Sequence, residues 1–127
     1  MHKKLICGLV IVGLLTVFAS ACGIRDASNS SLPTVHMGGA TFLQTSITIH
    51  KGDMLNLVDD VASTHIIANG TWDNGKAKPA SESGAPAIKD VQVNGNSSGT
   101  IGPFTTAGAF KLYCTIHPGM NLTVIVQ

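Results

Sequence analysis

The segment Tyr113-Cys114-Thr115-Ile116-His117-Pro118-Gly119-Met120 holds three metal-competent side chains within the seven residues from Cys114 to Met120. Phe110, Leu112 and Cys114 alternate with Lys111 and Tyr113, so a strand running through them aims the Cys114 sulfur at the apolar interior. His117 and Met120 follow at steps of three, and Leu122, Val124 and Val126 then alternate with Thr123 and Ile125. A tight loop between two strands therefore presents a thiolate, an imidazole and a thioether near one point. That combination is chemically particular.

Cysteine thiolate, histidine and a weak methionine form the ligand set of a blue-copper centre, which needs a second histidine. His36, His50 and His65 are the candidates, because His2 falls in the leader described below. His50 lies beside a Lys51-Gly52-Asp53 turn on the polar side of the Ile47/Ile49 alternation and reads as solvated. His36 precedes Met37-Gly38-Gly39 with no other site-like residue nearby. His65 opens an apolar run, which places its ring at least partly in the interior. Zinc accepts the same histidines and cysteine but makes poor use of Met120. A disulfide between Cys22 and Cys114, stapling a binding module, is the remaining use of these thiols.

The elements that must position the site are short strands. Period-two patterns around Ile47/Ile49, Leu55/Leu57 and Val91/Val93 join the two C-terminal ones, with Asn94-Gly95 as a turn signal. Thr64 to Ala68 is an apolar run closed by Asn69-Gly70, and residues 71–90 read as a long surface loop. Asp59-Asp60 reads as a solvated strand end, and Trp72 as a packed indole. No amphipathic helix is evident after the leader. The expectation is an all-β, antiparallel Greek-key β-sandwich of seven to eight strands.

The chain has 127 residues, 44% of them hydrophobic, with 14 glycines and a formal net charge of +1. That length supports one core, and scattered Lys and Arg residues give no footprint for nucleic acid. Lys3 and Lys4 precede an uncharged stretch from Leu5 to Ala21, too short for a typical spanning helix and built like a signal peptide. It ends in Ala19-Ser20-Ala21-Cys22, which resembles a bacterial lipobox. The resemblance implies cleavage before a lipid-modified Cys22, with Ala19 replacing the usual leucine. The expected organisation is a signal peptide over 1–21, lipidated Cys22 and a flexible tether over 22–33, and one domain over 34–127. Without the leader, six basic residues face seven acidic ones. Sequons at Asn29, Asn69, Asn96 and Asn121 read as idle in such a bacterial context.

From Thr34 to Gln127 the sequence resembles the cupredoxin family of small blue-copper proteins, on the motif Cys114-x2-His117-x2-Met120 with His65 upstream. The spacing is similar to the short ligand loop of amicyanin-like rather than plastocyanin-like members. The resemblance implies one type 1 copper ion held by His65, Cys114, His117 and axial Met120. It implies a monomeric electron carrier, not an enzyme, outside the cytoplasm. Its redox partner proteins would belong to a respiratory or photosynthetic chain, with a lipid anchor in the membrane. Copper carriage or buffering is the alternative use of the same ligands. In relatives the loop histidine surfaces in an apolar patch, which makes His117 the expected electron port, rimmed by Ile116, Pro118 and Gly119. Two positions depart from common family patterns. Ile66 follows the upstream histidine where plastocyanins often have asparagine. Ile116 stands where many relatives have proline, and it retains a backbone N–H that can reach the thiolate.

Overall fold

A computed structural model describes residues 31–127; the leader, Cys22 and most of the expected tether lie outside them. Among the described residues there are nine strands and no helix. In chain order they are β1 (Thr34–Met37), β2 (Ser46–Ile49), β3 (Leu55–Asp59), β4 (His65–Asp73), β5 (Lys76–Pro79), β6 (Val91–Val93), β7 (Ser98–Ile101), β8 (Gly108–Cys114) and β9 (Asn121–Val126). One sheet has the order β1–β3–β7. The other runs β2–β9–β8–β4–β5, with β6 also on β4.

The all-β sandwich follows from the alternation. Val35 and Met37 of β1, Leu55 and Leu57 of β3, Phe110 and Leu112 of β8, and Leu122 and Val124 of β9 enter one core. Phe104 and Phe110 face each other there with ring centroids 6.2 Å apart. Burying each such side chain contributes about 1.5–3 kcal/mol. Most pairings are antiparallel, but β1 with β3 and β2 with β9 are parallel. The chain from β1 crosses to the opposite sheet for β2 before returning for β3. Neither N-terminal strand therefore forms a hairpin with its sequence neighbour.

The segment expected as a loop over 71–90 is partly strand. β4 does not close at Asn69-Gly70 but continues to Asp73 and turns through Asn74-Gly75 into β5. Both turn residues have positive φ, 49° and 73°, as a two-residue hairpin with the sheet's own twist requires. Gly70 makes the bend from the sheet into this ribbon possible. Its φ is 136°, and a Cβ there would lie 2.5 Å from the Lys78 carbonyl oxygen and 2.8 Å from Tyr113 Cε1.

The turn expected at Asn94-Gly95 centres one residue later, on Gly95 and Asn96 (φ 54°), and it joins β6 to β7 across the two sheets rather than closing a hairpin. Gly95 packs against Ala62, where a Cβ would meet Ala62 C at 2.5 Å. Asn96 N–H donates to Val61 O at 2.8 Å, and Ser63 Oγ donates to Gly39 O at 2.8 Å. The connector from β3 to β4 is thus held from both sides. It delivers His65 to the start of β4 in a fixed position.

Candidate metal centre

Cys114 is the last residue of β8, and its side chain is fully buried beside Phe110 and Leu112 in the core. The next strand begins at Asn121, leaving a connection too short to wander. Cys114 N–H donates to Met120 O at 3.0 Å, and Met120 N–H donates to His117 O at 3.1 Å. Gly119 supplies the left-handed turn, with φ 82°. This closed loop carries His117 over the Cys114 sulfur, with His117 Nδ1 3.4 Å from Sγ.

His65 arrives from β4, whose residues Ile67 to Asn69 pair with Cys114 to Leu112 of β8. Its ring is fully buried, and its Nδ1 lies 3.2 Å from His117 Nδ1. One atom each from His65, Cys114 and His117 fall within 4.8 Å of one another. Two imidazole nitrogens and one sulfur thus converge on a common point. Burial lowers the His65 pKa below its ordinary 6.5, opposed by the nearby Asp59 carboxylate and the Gly38 backbone and reinforced by His117. A neutral ring is the form that can donate a lone pair to a metal.

The backbone ties the segments that carry His65 and Cys114 together. Thr115 N–H donates to Ile66 O at 2.8 Å, and Ile66 N–H reaches Cys114 Sγ at 3.4 Å. The tie that an asparagine side chain would make after the upstream histidine is here made by the main chain of Ile66. The backbone donor on the sulfur is Ile66 N–H. Cys114 is a free thiol. The partner proposed for it in a disulfide, Cys22, lies outside the described residues.

The other candidate histidines are elsewhere. His36 is exposed and pairs with exposed Asp60 at 2.9 Å, while His50 is exposed beside Asp53. Met120 is buried at the end of the loop. Around His117, which is half-buried, Ile116 is 48% exposed and Pro118 and Gly119 are exposed. All three flank His117 at the surface.

Three residues matter here that their sequence contexts did not mark. Asp59 is not a solvated strand end but fully buried, with Oδ2 3.5 Å from His65 Nε2. The signal was present: Leu55, Leu57 and Asp59 share one parity of β3 and hence one face. Asn121 has a structural task. Its Oδ1 accepts Trp72 N–H at 2.7 Å, and its Nδ2 donates to Trp72 O at 3.0 Å. Trp72, besides packing edge-on against Tyr113, donates its indole N–H to the Cys114 carbonyl at 2.7 Å. The ribbon of β4 and β5 is in this way fastened to both ends of the β8–β9 loop.

A nine-stranded sandwich with a Cys/His/His cluster between the start of β4 and the loop after β8 has the cupredoxin fold. No family model and no curated protein sequence matches the chain. The chain is similar in structure to the amicyanin of Paracoccus versutus (Thiobacillus versutus), with TM-score 0.59 and 21% identity over 77% of this chain and 83% of that one. A reduced Cu(I) form of an amicyanin variant at pH 4 matches with TM-score 0.58 and 19% identity, over 76% of this chain and 82% of that one. A Cu(I) structure of a methionine-to-alanine amicyanin variant gives TM-score 0.56 and 18% identity over the same shares.

Proposed function

We propose that this protein is a single-site copper protein that carries electrons one at a time between redox partners outside the cytoplasm. The reading includes a lipid on Cys22 as its membrane anchor. One observation carries it: the convergence of Cys114 Sγ with the Nδ1 atoms of His65 and His117 at the buried end of a sandwich. The donor set fits copper, because a thiolate and two imidazoles select a soft or borderline ion and the cluster includes no carboxylate. Met120, buried directly after the loop, is the fourth ligand in this reading and favours copper over zinc.

A copper ion held here supplies a centre that takes up and releases one electron. The chain's own residues do the rest. β8 and β9 hold Cys114 and the loop, while β4 holds His65 from a separate direction, so the donors are fixed before the metal arrives. Full burial of His65 and Cys114 keeps water from their side of the centre. With four protein ligands, no position is left for a substrate, which suits a carrier rather than an enzyme. His117 is the half-exposed member, and its rim of Ile116, Pro118 and Gly119 offers a partner protein an apolar contact at the point where electrons leave.

Adding Cu(II) to the purified protein is expected to give an intense visible thiolate band that a reductant bleaches reversibly. Cys114→Ser is expected to abolish the band, and its retention in that variant would refute the ligand set. Reversible electron exchange with respiratory or photosynthetic partners then separates a carrier from a copper store. Release of the protein from the membrane fraction by Cys22→Ala tests the anchor.

A further inference from the structure

Three buried side-chain nitrogen or oxygen atoms among the described residues have no hydrogen-bond partner, and two of them face each other: Asp59 Oδ2 and His65 Nε2. Both side chains are fully buried, and the atoms are 3.5 Å apart. A buried carboxylate without a counter-group costs several kcal/mol, so this placement calls for a use. The other oxygen of the carboxylate is already committed, since Oδ1 accepts Val61 N–H at 3.0 Å. That bond fixes the rotation of the carboxylate and leaves Oδ2 pointing at the ring. The strand end is itself immobilised, with Asp59 N–H on Ser97 O at 2.8 Å and Asp60 N–H on Met37 O at 3.2 Å.

We infer that Asp59 is a positioning residue for the metal centre: its Oδ2 accepts the Nε2 proton of His65 and thereby leaves Nδ1 unprotonated and aimed at Cys114 and His117. This inference rests on the metal-binding reading of that cluster. The chemistry follows from the two ring nitrogens. A neutral imidazole carries one proton, and whichever nitrogen holds it cannot bind metal. His65 Nδ1 is the nitrogen on the side of His117, so the proton belongs on Nε2. A carboxylate there holds it more firmly than a neutral acceptor, orients the ring and makes Nδ1 a stronger donor. The Gly38 backbone is the neutral alternative beside the same ring.

Asp59→Asn is the discriminating change because it keeps size and shape. With its oxygen on Val61 N–H, the asparagine presents an NH2 group to Nε2 and favours the tautomer protonated at Nδ1. Flipped, it loses the Val61 bond to a donor–donor contact. Either way one of the two contacts fails.

The test reads the His65 ring nitrogens by long-range proton–nitrogen NMR in the metal-free protein at about pH 8, where a histidine is neutral. The wild type is expected to carry the proton on Nε2. Asp59→Asn is expected to move it wholly or partly to Nδ1, and to bind Cu(II) roughly 10- to 100-fold more weakly. A wild-type ring protonated at Nδ1 overturns the inference without any variant having to fold. So does an Asp59→Asn protein that unfolds at lower temperature yet keeps the wild-type tautomer and Cu(II) affinity. In that case Gly38 sets the ring and Asp59 serves stability alone. Absence of the copper–thiolate band from the wild type refutes the copper reading separately, since the tautomer is measured without metal.

Discussion

The clasp between Asn121 and Trp72 is a pair of hydrogen bonds that one substitution removes together. In a two-residue hairpin, alternate residues direct their N–H and C=O toward the partner strand or away from it. Asp73 and Lys76 flank the Asn74-Gly75 turn and face each other across it, so Trp72 points both backbone groups away from β5. The Asn121 amide takes both, acting as a strand neighbour of one residue. Asn121→Ala removes two neutral hydrogen bonds, each worth about 0.5–1.5 kcal/mol, for a loss of about 2 kcal/mol. In a domain of this size that corresponds to a fall of roughly 8–16 °C in Tm. Asn121→Asp keeps the acceptor for Trp72 N–H but sets an oxygen where Nδ2 stood, 3.0 Å from the Trp72 carbonyl, and is expected to fall between wild type and alanine. Gln92→Ala, which removes an exposed side-chain pair with Asn94, is the control, with an expected change within about 0.5 kcal/mol. Urea and thermal unfolding of the metal-free protein measure all three. A shift below about 2 °C for Asn121→Ala would refute the reasoning, because solvent would then be replacing both bonds at no cost.

Other outcomes follow from the same geometry. Burial lowers the His65 pKa in the folded, metal-free protein, so from its ordinary 6.5 downward the unfolded chain binds more protons there than the folded one. Stability of the metal-free protein is expected to fall as pH drops below about 6.5, and His65→Gln to flatten that slope in denaturant titrations between about pH 5 and 7.5. Gly70→Ala combines a φ of 136° with a contact at 2.5 Å and is expected to cost roughly 2–4 kcal/mol. Gly75→Ala has a φ of 73° but open space around its Cβ. It is expected to cost only about 1–2 kcal/mol in the same unfolding assay.

The sequence was most readable where burial is one-sided. Phe110, Leu112 and Cys114, and Leu122, Val124 and Val126, alternate with outward residues, apart from Tyr113, and β8 and β9 lie where that pattern puts them. Three of the four proposed ligands sit at the end of β8 or on the loop that follows it, so their proximity is a matter of chain connectivity. His65 is different, since only pairing of β4 with β8 brings it there. The ribbon of β4 and β5 was hidden because Asp73, Lys76, Ala77 and Lys78 are all exposed and no apolar period marks it. Its one signal was Asn74-Gly75. Asp59 was masked by Asp60, because two adjacent carboxylates look solvated although neighbouring strand residues face opposite ways. The parallel pairings of β1 and β2 could not be read, since alternation reports which face is buried and says nothing of a partner's direction.

The two histidines that meet at the centre are 52 residues apart in the chain, and this separation has a kinetic meaning. The hairpin of β8 and β9 can close early, because its loop is short and its entropic cost small. His65 can join only when the long excursion between β4 and β8 has been closed, a slow kind of event in β proteins. A half-folded chain therefore exposes the Cys114 thiol and His117 without the second imidazole, and offers passing metal an incomplete grip. The complete donor set is a certificate of finished folding, assembled only when the two ends of that excursion have met.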